Sequence, residues 1–398
     1  MIIMKYRYFH TLARESSVLG FGCMRLPTVG EGDKKHINEE LAINLLRLAI
    51  DNGINYIDTA WPYHNKESET VVGKALRDGY REKVILVTKA PVWEYKNSDD
   101  FENYLRLQLE KLQTDHIDLY LLHALNKLRF EQVKKLKILE AAEKAKNDGL
   151  INHIGFSFHG NYKTFCEILD AYPWDACQIQ FNYMDVNSQA TEKGLKYAGS
   201  KSIPVIVMEP LLGGKLVRET EETKKILENA PVKRTLAEWA LQFVWNYPEV
   251  KVVLSGMNTE AMILENVASA NRSEPNSMNP EEFEVIKRLR SSFQNLFVVP
   301  CTRCEYCMPC PSGVNIPMNL RVLNEAAWTG SAESMQGWFD SFAQTPEELE
   351  DKPNNGAAQL CIECMQCLDK CPQGIQIPDQ LKKVVAIYRD HQTPKSVL

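Results

Sequence analysis

No apolar run in the 398-residue chain approaches the ~18 residues that a membrane-crossing helix needs, so no transmembrane span is expected. The start, Met1-Ile2-Ile3-Met4-Lys5-Tyr6-Arg7-Tyr8, lacks both a long apolar core and a small-residue cleavage site, and reads as no signal peptide. Positive charge is not in excess. The chain has 46 Lys and Arg against 52 Asp and Glu, a net charge of −6, which argues against a general nucleic-acid or anionic-membrane surface. No Gly-x-Gly-x-x-Gly follows the first candidate strand, which weakens an open dinucleotide-binding sheet. These absences leave a cytoplasmic globular protein. Its hydrophobic content of 44% and charged content of 25% are ordinary, and its length suffices for a large core and a second domain.

What the chain does have is a repeated helix–glycine–strand junction. Gly53, Gly79, Gly149 and Gly199 each stand between a candidate helix and a short apolar run. Glycine ends helices because it reaches the left-handed conformation without a Cβ clash. Counting 18–22 as the first strand, eight runs alternate with helices expected at 39–52, 66–78, 98–113, 131–148, 160–171, 187–200, 232–246 and 259–270. Residues 5–14 and 16–21 suggest a short hairpin ahead of them. Short uninterrupted apolar runs suit a parallel sheet buried on both faces. Eight such units in ~260 residues favour a closed (β/α)8 TIM barrel. The polar, turn-rich stretch 271–280 reads as a linker, with a helix expected at 281–296. The expected domains are therefore a barrel over 1–275 and a smaller one over 276–398.

Three strands end in reactive groups. Asp58 closes Ile54-Asn55-Tyr56-Ile57, with Tyr63 five residues on. Lys89 closes Val84-Ile85-Leu86-Val87-Thr88, and His123 closes Ile117-Asp118-Leu119-Tyr120-Leu121-Leu122. Singly, each has a bland reading as a cap, a loop hydrogen-bonder or a solvated side chain. Together, at the strand ends where a barrel carries its active site, a carboxylate, a phenol, an ammonium and an imidazole argue for catalysis.

The run Asp58-Thr59-Ala60-x-x-Tyr63, the strand-ending Lys89 and Leu121-Leu122-His123 resemble the aldo/keto reductase family. The opening Leu19-Gly20-Phe21-Gly22-Cys23-Met24-Arg25-Leu26-Pro27, Gly155-Phe156-Ser157 and Gln180-Phe181-Asn182-Tyr183 add to the likeness, which covers roughly 15–270. The resemblance implies reduction of an aldehyde or ketone by NAD(P)H, or the reverse. Tyr63 would act as general acid, assisted by Lys89, Asp58 and His123. A cation close to a phenol favours the phenolate and lowers its pKa. The likeness also implies nicotinamide contacts from Ser157, Gln180 and Asn182, with His159 near them. A pyrophosphate loop follows at Pro210, Leu211, Gly213 and Lys215, and an adenosine end at Ser255, Gly256, Glu265 and Asn266. Two departures stand out. Residues 254–262 carry no cation for a 2′-phosphate, so NADH is expected to bind at least as well as NADPH. Glu209 stands where many relatives have an aromatic, which leaves a flavin open as the redox ring. Trp61, Trp93 and Tyr95 are candidates for a substrate wall.

Eleven cysteines remain to be placed. Cys23, Cys166 and Cys177 are scattered and read as small buried hydrophobes. Cys301, Cys304, Cys307 and Cys310 form one cluster, and Cys361, Cys364, Cys367 and Cys371 another, each closed by proline. The second follows the bacterial ferredoxin spacing, in which the fourth Cys of each run ligates the other cluster. Two [4Fe-4S] clusters are therefore expected in a small ferredoxin-like domain. Cys301, Cys304, Cys307 and Cys371 would hold one, and Cys361, Cys364, Cys367 and Cys310 the other. Zinc is the alternative occupant. A ferredoxin-type electron donor or acceptor is then the candidate partner. Rival readings are a ferredoxin-linked enzyme whose tetrad only protonates, and a redox sensor.

Overall fold

The computed structural model describes residues 4–30, 36–295, 297–301, 306–342, 356–371 and 373–398. The chain divides into two compact units, 1–286 and 287–398. The division falls inside the helix Pro280–Gln294.

The first unit is a closed barrel of eight parallel strands. They are β1 Leu19–Gly22, β2 Tyr56–Asp58, β3 Ile85–Ala90, β4 Ile117–Leu125, β5 Ile151–Phe158, β6 Ala176–Gln180, β7 Val205–Met208 and β8 Val250–Ser255. Each pairs with the next, and β8 returns to β1. Alternate side chains of a strand face the same way. Tyr56, Ile85, Val87, Leu119, Leu121, Ala176, Ile206, Val252 and Leu254 form one buried cluster that includes Phe9. Glycine makes room where strands crowd. A Cβ on Gly20 would stand 2.8 Å from Leu254 and from Val252, and one on Gly155 2.5 Å from the Ala176 carbonyl.

Phe9 belongs to a hairpin, Tyr6–Phe9 with Arg14–Ser17, that turns through a short 3₁₀ segment at His10–Leu12. The second arm stops at Ser17, and β1 begins separately at Leu19. Arg7 donates to the carbonyls of Trp245, Tyr247 and Val250.

The helix expected over 131–148 is two helices, Lys127–Lys135 and Ile138–Asn147. Asn126 caps the first through its side chain, and Lys137 breaks the run at φ 55°, a left-handed conformation that an L residue adopts at a cost. A helix at Glu221–Glu228 had no sequence expectation. Thr220 and Thr223 cap it reciprocally.

In the second unit, among the described residues, helices pack without a strand. Ile316–Thr329 and Ile377–Tyr388 each carry proline in the first turn, where its missing N–H costs nothing. Val314, Leu320, Leu323, Leu381, Val384 and Ile387 form their core. Tyr388 stacks on Phe339 at 5.0 Å and donates to the Val322 carbonyl. No helix among the described residues is long and apolar enough to cross a membrane.

Candidate active site

The alternation that fills the barrel also builds the site. Two residues beyond the interior positions Tyr56, Val87, Leu121 and Ala176 come Asp58, Lys89, His123 and Gln178, all at the C-terminal end of the strands. His123 lies inside β4, which runs to Leu125, and not just past its end.

Lys89 and Asp58 are sealed, at 1% and 2% exposure. The Lys89 ammonium donates to Asp58 Oδ1 at 2.6 Å, to the Thr59 carbonyl at 2.8 Å and to the Tyr63 hydroxyl at 3.3 Å. Its three protons thus have three oxygen acceptors. Burial opposes the Lys89 charge, but the Asp58 carboxylate and the Tyr63 oxygen hold it above its ordinary range. Burial pushes the Asp58 carboxyl up, and Lys89 pulls it back. Tyr63 also departs from the simple cation argument. Burial raises its pKa, Lys89 lowers it, and the net direction is upward, so the phenol keeps its proton.

His123 is half-buried beside these groups. Its ring centroid lies 6.1 Å from that of Tyr63 and 5.1 Å from that of Trp93. Burial first, then the charge of Lys89, holds it well below its ordinary range, hence neutral. Its Nδ1 is buried without a hydrogen-bond partner among the described residues. Of the three aromatic candidates, only Trp93 stands against His123. Trp61 is packed under Lys111, 4.0 Å from its ring centroid, and Tyr95 against Phe101 and Tyr104.

A second buried network backs β3. Thr88 and Gln108 both donate to Glu69 Oε1, at 2.6 and 2.5 Å. Gln108 also donates to the Lys89 carbonyl, and Tyr120 to Gln108.

The nucleotide candidates separate into groups. The Ser157 hydroxyl accepts from the Ala124 N–H at 2.7 Å and so steadies the turn after His123. Gln180 is occupied on both sides: its amide donates to Asp185 and its carbonyl accepts from Gln189. Asn182 donates to the Glu209 carbonyl and accepts from Met184 and Asp185. His159 lies at Gln189. These three shape the loop after β6 through those bonds. A residue that bonds directly to the tetrad is Gln178, which the motif reading passed over. Its amide donates to Asp58 Oδ2 at 3.3 Å, and its buried Oε1 has no partner among the described residues. The alternation of β6 was the signal that could have found it.

Pro210, Leu211, Gly213 and Lys215 lie in or just before the 3₁₀ segment Leu212–Val217 after β7, where Glu209, Leu212, Gly213 and Gly214 all have positive φ. Arg25, from the loop after β1, ties this segment to the loop after β8. A Cβ on Gly256 would stand 3.0 Å from Arg25 Cβ, and one on Gly213 3.0 Å from Arg25 Nη2, with Glu209 Oε2 at 3.5 Å. No cation stands within 254–262, and Arg25 from the loop after β1 is the cation beside Gly256. Ser255 and Asn266 bond to each other, and Glu265 accepts from Thr235.

In the tail, Cys310, Cys361, Cys364 and Cys367 line one cavity with Cys307, walled by Ile316, Pro378 and Leu381. Burial and the neighbouring thiols push Cys367 up. Cysteines lining one cavity are the kind of donor set an iron–sulfur cluster takes, although among the described residues no three of them converge on one metal position. Cys301 and Cys371 pack against the tail core, and Cys304 lies outside the described residues. Cys23 and Cys177 are fully buried, and Cys166 partly.

Residues 18–289 match the model of the aldo/keto reductase family, and residues 300–376 that of a 4Fe-4S dicluster domain. L-galactose dehydrogenase of Arabidopsis thaliana is 26% identical over 302 residues, 70% of this chain and 92% of the relative. Glyoxal reductase of Bacillus subtilis is 31% identical over 229 residues, 55% of this chain and 76% of the relative. Among solved structures, the holo form of an aldo-keto reductase from Bacillus halodurans superposes with a TM-score of 0.60 at 28% identity, covering 72% of this chain and 96% of the other. The barrel, its tetrad and these matches together show that the chain belongs to the aldo/keto reductase family and carries a C-terminal 4Fe-4S dicluster domain.

Proposed function

We propose that the barrel reduces an aldehyde or ketone with a nicotinamide nucleotide, or runs the reverse oxidation, in the cytoplasm. The observation that carries this reading is the sealed Lys89 ammonium bonded at once to Asp58, the Thr59 carbonyl and Tyr63. Carbonyl reduction needs a proton at oxygen as hydride reaches carbon, and a bound nicotinamide would supply the hydride. Tyr63, kept protonated by burial, donates that proton, and Lys89 stabilises the phenolate left behind. Asp58 keeps Lys89 charged. Neutral His123 presents a ring N–H to the carbonyl oxygen and orients it.

The orphaned Gln178 Oε1 suits the carboxamide of a nicotinamide, with Ser157 behind it. Arg25, Lys215 and the glycine-bearing loop 210–215 are the groups that would hold the phosphates. No contact among the described residues favours a flavin. The names of two relatives, glyoxal reductase and L-galactose dehydrogenase, point to the same class of reaction.

The tail extends the proposal. Two [4Fe-4S] clusters would supply one-electron transfer, with a ferredoxin-type protein as donor or acceptor. The dicluster match and the thiol-lined cavity support it.

The test is Tyr63→Phe. Carbonyl reduction should vanish while nucleotide affinity stays near that of the wild type. Retention of most of the turnover would sink the assignment.

A further inference from the structure

We infer that Arg129 is the anion-binding residue of the substrate pocket, and that the carbonyl compound taken by this site carries a carboxylate. This rests on the carbonyl-reductase reading and narrows its substrate class.

Arg129 stands in the first turn of the helix Lys127–Lys135, immediately after the strand that carries His123. Its guanidinium carbon lies 4.9 Å from the Trp93 ring centroid, and that indole lies 5.1 Å from the His123 ring. Cation, indole and imidazole thus form one continuous wall beside the tetrad. The guanidinium is half-buried. It has five N–H donors, and among the described residues only Nη1 is used, toward the Ala124 carbonyl at 2.8 Å. No carboxylate pairs with it there. Glu94, the acidic neighbour of Trp93, accepts from the indole N–H at 3.2 Å and forms no ion pair with Arg129.

A partly desolvated cation is ordinarily paired, because lost hydration has to be replaced. Burial opposes the charge of Arg129, with no acidic neighbour to offset it. Against an indole that itself stands against a catalytic imidazole, such a group suits an anion that arrives with the substrate. The planar fork of arginine matches a carboxylate in particular. The bond to Ala124 also steadies the loop after His123, but that role is indifferent to the charge of the substrate.

The experiment uses the full-length protein under anaerobic conditions, with NADH and with NADPH. The kcat/KM for succinic semialdehyde is compared with that for butanal, which has the same chain length but no carboxylate. The wild type should prefer the charged aldehyde. Arg129→Gln should lose roughly ten- to a hundredfold on succinic semialdehyde, the range expected for a hydrogen bond to a charged group, and clearly less on butanal, which feels only the lost bond to Ala124. Arg129→Lys, which keeps the charge and gives up the fork, should fall between and serves if the glutamine variant does not fold. No wild-type preference, or equal losses on both aldehydes, would overturn the inference. A second arm titrates the protein with succinate by calorimetry, which needs no turnover. Binding that Arg129→Gln abolishes supports the anion site even if neither nucleotide drives any reduction, a result that would overturn the reductase reading alone. No succinate binding to the wild type overturns the anion site.

Discussion

The Lys89–Asp58 pair offers the sharpest test of how stability and chemistry are joined in this barrel. Asp58→Asn removes the charge opposite a 1%-exposed ammonium and leaves it only uncharged oxygen acceptors, among them the Thr59 carbonyl and the Tyr63 hydroxyl. Breaking one side of a buried ion pair costs about 3–5 kcal/mol, most of it the penalty of an uncompensated charge. For a domain of this size each kcal/mol moves the melting temperature by about 2 °C, so a fall of roughly 6–10 °C is expected. With Asp58 neutral, burial dominates Lys89 and drives its pKa down, so Tyr63 loses the cation that stabilises its phenolate. Turnover should drop with the melting temperature. The double variant Asp58→Asn with Lys89→Met separates the two effects. Replacing both partners by uncharged groups restores most of the lost stability, because no buried charge is left, but it cannot restore turnover. The assays are thermal unfolding followed by calorimetry at pH 7 and steady-state carbonyl reduction. A melting temperature in the single variant within about 1 °C of the wild type, well short of that penalty, would refute the uncompensated-charge argument. Recovered activity in the double variant would refute the role given to Lys89.

Four further outcomes follow from the structure. Because His123 is held well below and Tyr63 above their ordinary ranges, kcat/KM for reduction should show no inflection near 6.5 and should fall only above about pH 10; an inflection near 6.5 that His123→Gln removes would contradict this. The same depression has a stability sign: below about 6.5 the unfolded chain takes up a proton that the folded imidazole refuses, so His123 makes stability fall as pH falls through that point, a slope that His123→Gln should reduce in urea titrations. Arg25→Ala should weaken NADH and NADPH binding in calorimetry without changing the barrel's melting temperature, since Arg25 is exposed and touches only glycine-bearing loops in the distances above; unaltered affinity would remove it from the phosphate site. Cys364→Ser should lose iron and turnover with a reduced viologen while NAD(P)H-driven turnover and the barrel fold persist; equal loss of both activities would make the cluster structural.

Much of the architecture was legible because alternation and glycine junctions are local signals. Tyr56, Val87 and Leu121 each announce, two residues ahead, which group will face the barrel axis. The same rule points to Gln178 as well as Gln180, but family motif order drew attention only to Gln180 and Asn182, whose amides the folded loop uses for itself. The break at Lys137 was hidden because a lysine-rich run with apolar spacing reads as one helix, and only tertiary packing decides where it kinks. Arg25 was out of reach for a different reason. Its contribution depends on two glycines more than 180 residues away in sequence, which lie beside it only once the barrel closes.

The hairpin of Tyr6–Phe9 and Arg14–Ser17 has a consequence for how the molecule is made. Arg7 takes its acceptors from Trp245, Tyr247 and Val250, Thr11 donates to the Asp175 carbonyl, and the Trp245 indole donates to the Val18 carbonyl. On a ribosome this hairpin, made before the barrel strands, therefore waits for the last of them before it can dock fully. Until β8 emerges, β1 keeps an unpaired edge and Phe9 has no finished interior to fill. Ring closure of such sequence separation is slow relative to local helix formation. Ribosome-bound chains halted before Val250 should therefore expose their N-terminal segment to protease, and chains released beyond it should not.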